Sequence, residues 1–205
     1  MKKILIFIWL SIFMQCQTQK RDTLKIPLVN DSFEKFNIKD FENNAVRGSR
    51  VLKNQNQLIL EDIQSYGFIR QIYQQNIFCF NYLFYKSGNI KEKGIGFIKG
   101  ASIGVWYHFD EDGKLIKEEN TDEAYAFTPE DIIKYCKKNN IELSKGYHEG
   151  DGYQTSVYKN ELDGKKVWLL SYIISLNKQE KEVKLTLDGQ TGKVIKREEF
   201  PYDSY

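Results

Sequence analysis

Between Ile77 and Tyr85 every second residue is aromatic: Phe78, Phe80, Tyr82 and Phe84 alternate with Cys79, Asn81 and Leu83. A period of two gathers all four rings on one face only if the chain is extended, so this stretch reads as a strand with one aromatic side. Val105, Tyr107 and Phe109 alternate in the same way, and Asp112-Gly113 then turns the chain into Leu115-Ile116-Lys117. An Asp-Gly step between alternating segments marks a hairpin, because both residues tolerate positive φ. Upstream, Val51-Leu52-Lys53 and Leu58-Ile59-Leu60 flank Asn54-Gln55-Asn56, a further short hairpin. Residues 32–124 are therefore expected to be β-rich.

Two of these hairpins repeat at an offset of 25: Tyr82, Phe84, Gly88 and Ile90 match Tyr107, Phe109, Gly113 and Leu115. With Gly104-Val105-Trp106-Tyr107 between them, the stretch from Leu83 to Glu119 resembles the MORN-like hairpin repeats of proteins associated with toxin–antitoxin systems. Only two copies are visible, and stacked repeat arrays usually need three, so they read as part of one sheet.

Thr128-Pro129-Glu130-Asp131 opens a helix, with Thr as N-cap, Pro at the first position and acids in the first turn. Ile132, Ile133, Cys136 and Asn140 line one side, Lys137 and Lys138 suit the C-terminal dipole, and Asn139-Asn140 ends the helix. Strands follow around 155–158, 167–176, 183–187 and 194–196, and Ile132, Ile133 and Cys136 are expected to pack on those at 167–176 and 183–187. Lys166-Val167-Trp168 and the run Leu187-Asp188-Gly189-Gln190-Thr191-Gly192-Lys193-Val194 resemble a PepSY-type domain over residues 127–199. That resemblance implies an exported protein that binds or restrains partners, and it brings no catalytic residues. The fold class expected is α+β: an antiparallel β-rich N-terminal part followed by a helix-plus-meander C-terminal part. Residues 125–199 form the second region and 200–205 a tail.

The first residues have a different purpose. Met1-Lys2-Lys3 is followed by the apolar run Ile4 to Met14, broken only by Ser11. As a helix it would be about 16 Å long, roughly half a hydrocarbon core, which suits a signal peptide (residues 1–15) and not a membrane span. Cys16 follows directly, an arrangement that resembles a bacterial lipoprotein signal, although Phe13-Met14-Gln15 departs from the aliphatic-small-small residues usual there. The resemblance implies acylation of Cys16 and a membrane-anchored envelope location, with residues 16–31 as anchor and polar tether. An ordinary secretory signal cleaved nearby is the alternative.

Lys2 and Lys3 account for the whole surplus of the 30 Lys and Arg over the 28 Asp and Glu, so the chain beyond the signal is neutral. A nucleic-acid partner normally needs a basic excess, so none is expected. His108, beside Trp106, and His148, in His148-Glu149-Gly150-Asp151, are the only histidines. One imidazole and two carboxylates are too few at ligand spacing to indicate a metal site, and neither metal nor cofactor is expected. Cys79 and Cys136 fall on apolar patterns and read as inert core thiols or, in an oxidising compartment, as a structural pair. Asp110-Glu111-Asp112-Gly113 lacks the alternating ligands of a calcium loop and reads as a turn. Glu118 and Glu119, adjacent on a strand, face opposite sides. No catalytic site is expected: neither histidine should meet a thiol or a buried carboxylate in a pocket.

These readings favour a non-enzymatic envelope lipoprotein that presents its aromatic sheet to a protein or peptide. An immunity protein is one specific form. A structural envelope or wall-associated protein, or an unrecognised hydrolase, is the alternative.

Overall fold

The computed structural model describes residues 25–149, 155–176 and 179–202; the signal segment and Cys16 lie outside the described residues. After a short helix α1 (Ile38–Asn44), seven strands follow one another as an antiparallel meander: β1 (Ser49–Lys53), β2 (Gln57–Gln64), β3 (Gly67–Gln74), β4 (Phe78–Tyr85), β5 (Ile90–Phe97), β6 (Ser102–Phe109) and β7 (Leu115–Asn120). Helix α2 (Pro129–Lys138) leads into a second antiparallel sheet of β8 (Thr155–Leu162), β9 (Lys165–Leu176), β10 (Gln179–Asp188) and β11 (Val194–Pro201). The fold is mostly antiparallel β with few helices, in the order expected.

Local chemistry sets the turns. At the β1–β2 hairpin the Asn54 side-chain oxygen accepts from the backbone N–H groups of Asn56 and Gln57. At the β6–β7 hairpin Asp110 accepts from the N–H groups of Asp112 and Lys114, and Gly113 takes φ +87°. A side chain at Gly113 would also strike the Phe33 ring. The repeat is visible in three dimensions: Gly88 (φ +84°) and Gly113 occupy matching turns, and Tyr82 and Tyr107 flank Lys93 from either side. Helix α2 starts at a reciprocal Thr128–Asp131 capping box and ends at Asn139. Ile132 and Cys136 are fully buried against Val183, Leu185 and Leu187, with Ile133 at the margin.

The four alternating rings of β4, Phe78, Phe80, Tyr82 and Phe84, point inward and serve two clusters. Phe78 and Phe80 join Phe97, Ile103, α2 and the second sheet in one core, where Trp168 is completely buried. Tyr82 and Phe84 join Phe36, Phe41, Phe68, Ile90 and Phe109 in the other. The aromatic face expected to meet a partner is thus the core itself; a four-ring stripe is worth more buried than exposed. Both regions of the chain contribute to the first cluster, and β8 touches the large sheet through a parallel bridge from Val157 to Gly100. Residues 26–31, expected as tether, already lie along this face, because Ile26 and Val29 pack on the first cluster.

Between the clusters a polar row crosses the inner face in register: Arg50, Glu61, Arg70, Tyr82, Lys93, Tyr107 and Glu118, one residue per strand. Glu61 is 1% exposed and binds Arg50 on one side and the Arg70 Nε, at 2.8 Å, on the other. Arg50 also reaches Asp40 of α1, and Arg70 lies over the rings of Phe36 and Phe84. Lys93, with no exposed surface, donates to the Ser32 carbonyl and to Glu34 at 2.8 Å. The N-terminal segment is therefore held to the sheet by ions at its middle and rings at its end. Removing one member of a buried, fully paired set leaves its partners uncompensated. Glu61→Ala is expected to destabilise the fold by about 3–5 kcal/mol in urea denaturation; a loss under about 1 kcal/mol would mean the row is solvated.

Candidate functional site

The opposite face of the seven-stranded sheet is left open by the second sheet. Leu58, Leu60, Ile69 and Leu83 sit on it half-buried, among polar neighbours such as Gln71 and Asn81, whose amides bond at 2.9 Å. Trp106 lies on β5 at Gly94, where any Cβ would come within 2.3 Å of the indole ring. The ring shields backbone that glycine leaves bare, and its Nε1–H donates to the Ile95 carbonyl at 3.0 Å. The ladder slips by two residues between Lys93 and Ile95, where β6 carries the extra residues of a bulge.

Beside Trp106, four charged or titratable groups share this face across three strands. His108 Nδ1 is 3.2 Å from Glu92, its Nε2 is 3.0 Å from Glu119, and Lys117 Nζ is 3.0 Å from the same Glu119 oxygen. The hydrogen bond from Lys117 is the main cause that holds the Glu119 carboxyl below the usual range; burial opposes it, and His108 adds a lesser lowering. Both imidazole nitrogens are engaged, and both can donate only in the cationic ring. His108 thus does meet carboxylates, but these are part-exposed, with side chains 26% and 44% accessible, and they stand on an open sheet face. The arrangement suits a polar contact surface. A general base needs a free nitrogen aimed at a substrate.

The other sequence candidates are scattered. Cys79 and Cys136 are both free and buried, and burial pushes each thiol up to about 12. Cys79 is on the open-face side of β4, whereas Cys136 lies in the core beneath Phe78, so the expected structural pair is not formed: the sheet stands between them. His148 Nε2 is 2.8 Å from the Lys145 carbonyl; Asp151 lies outside the described residues. No group of three or more His, Cys, Asp or Glu suited to a metal occurs among the described residues. Glu118 and Glu119 do face opposite sides, as their pairing with Tyr107 and Trp106 requires.

Sequence reasoning missed the buried charges. Besides Arg50, Glu61 and Lys93, Lys159 of β8 donates to the carbonyls of Ser102 (2.8 Å) and Thr121 (2.7 Å) and pairs with Asp122, beneath the rings of Tyr125 and Trp168. Burial lowers the Lys159 pKa, with Asp122 opposing that shift. A usable signal existed: Phe68-x-Arg70 places a charge in phase with a core ring.

The chain matches no known protein family, and neither the curated proteins nor the solved structures include a match to it.

The thiol environment gives a direct check. In the native full chain, Cys79 and Cys136 should resist a thiol reagent at neutral pH, and both should react promptly in strong denaturant. Rapid labelling of either in the native state would contradict the burial described.

Proposed function

We propose that this chain is an exported envelope lipoprotein, anchored through Cys16, that acts as a non-enzymatic binding module for a protein or peptide. The observation that carries this reading is the face of the large sheet that, among the described residues, the second sheet leaves open, with Tyr147 packed on Tyr73 at one end. Seven strands spaced about 4.8 Å apart make a surface roughly 30 Å wide, the scale of one side of an ordinary protein interface. It mixes half-buried aliphatic side chains with an indole and paired polar groups, the composition of a contact surface and not of a sealed core. The Ile4–Met14 run and Cys16 support export and anchoring, and Ile26, ten residues on, packs on the folded body. The MORN-like and PepSY-like motifs support a partner-binding role, of which an immunity protein is one form.

Anchoring is tested by Cys16→Ser. The variant should move from the membrane to the soluble envelope fraction; retention on the membrane, with no acyl mass on the wild type, would contradict it. Binding is tested in cells with a photo-crosslinking residue in place of Leu60 or Lys117. One discrete adduct is expected, and a toxin-like neighbouring gene product in that adduct would select the immunity form. A broad ladder with wall material would favour the structural reading, and no adduct at either position would remove the open face as the binding surface.

A further inference from the structure

The outer edge of β11 is written to pair with itself. The Tyr202 N–H donates inward to the Glu180 carbonyl at 3.0 Å, and the 1:1 register with β10 continues from Pro201 back to Lys196. Antiparallel alternation then turns the backbone groups of Lys196, Glu198 and Phe200 toward β10 and those of Arg197 and Glu199 outward. Pro201 is also at an outward position, where its missing N–H removes nothing from the sheet.

A two-fold axis perpendicular to the sheet through Arg197 sets Lys196 opposite Glu198 of a second copy, and Glu198 opposite its Lys196. Lys196 and Glu198 already share the solvent face within one chain, 2.8 Å apart, so the second copy extends an existing ion pair into a square of alternating charge. On the other face the two Arg197 side chains meet, each already neutralised by its own Glu199 at 2.8 Å. The ladder with β10 slips between Thr186 and Leu187 and sets Val194 opposite Leu187, on the face of Arg197, so the stretch in regular alternation begins at Lys196. Moving the axis one residue on, to Glu198, would replace the Lys196–Glu198 square by two Glu198 side chains face to face and set Pro201, which has no N–H to give, opposite Ile195. Centring on Arg197 leaves Pro201 beyond the paired residues.

We propose that β11 is a self-association edge, through which two copies of this chain pair antiparallel about Arg197 and join their four-stranded sheets into one. A single strand pair is a small interface, so the dimer is weak and fills at high local concentration. This surface is separate from the open face of the large sheet.

The test uses the full chain in detergent, with sedimentation and native mass spectrometry up to about 100 µM, where a weak contact becomes populated. Wild type should dimerise. Lys196→Glu and Glu198→Lys should each be folded by circular dichroism and monomeric, since each sets like charges opposite one another. Mixed in equal amounts, the two variants should form a heterodimer. The glutamate introduced in one chain then faces the lysine introduced in the other, and the native Glu198 of the first faces the native Lys196 of the second. A wild type that stays monomeric, dimers unaffected by either charge change, or variants that fail to pair when mixed would each overturn the proposal.

Discussion

A seven-stranded meander has an inner face longer than a four-stranded sheet and one helix can cover, and the rest of the structure follows from how that shortfall is met. The second sheet and α2 cover one end. There Trp168 packs edge-on against Phe97 and Tyr125 and gives its indole N–H to the Phe127 carbonyl at 2.8 Å. This contact makes the two sheets one core: Phe97 belongs to the large sheet, Trp168 to the small one, and the indole is satisfied by the linker that delivers α2. Lys159 reinforces the joint from the side by gathering the ends of β6 and β7.

The other end is covered by the chain's own N-terminal segment. Phe36 stacks on Phe68 at 4.6 Å, and Phe41 of α1 closes over the same ring. The row from Arg50 to Lys93 lies against this second cluster, with Arg50 over the Phe41 ring, Arg70 over Phe36 and Phe84, and Lys93 over Phe109. Charges there cost desolvation and are tolerable because each finds a partner. Among the described residues no buried side-chain nitrogen or oxygen lacks a hydrogen bond. The ions also fix register: sliding the N-terminal segment by one residue would take Glu34 from Lys93 and leave a buried ammonium alone.

Period-two patterning made most of the strands legible. The aromatic alternation in β4, the Asp-Gly turn before β7 and the cap and proline of α2 all appear where the residues indicate. Patterning alone does not say which face of a sheet is covered, which is why the rings of β4 read as an offered surface and are in fact core. Helix α1 was not legible: Ile38-Lys39-Asp40-Phe41-Glu42-Asn43-Asn44 has one buried residue, Phe41, and its helical state rests on the Asn37 cap and on tertiary contacts, Phe41 and Ile38 in the cluster and Asp40 with Arg50. Nor was the Gly94–Trp106 contact, since a glycine in a strand signals a close approach without naming what approaches. The Cys79–Cys136 relation needed the layer order, because two cysteines on apolar patterns can share a core or stand on opposite sides of a sheet.

If one core joins both sheets, neither can open without the other. Amide hydrogen exchange in increasing denaturant measures this directly, read by mass spectrometry on peptides from β4–β5 and from β9–β10. A single cooperative unit gives both sets of protected amides the same opening free energy and the same denaturant dependence, merging into one global unfolding event. Exchange of β9–β10 through a separate, lower-energy opening, while β4–β5 stays protected, would show two independent domains and contradict the shared core.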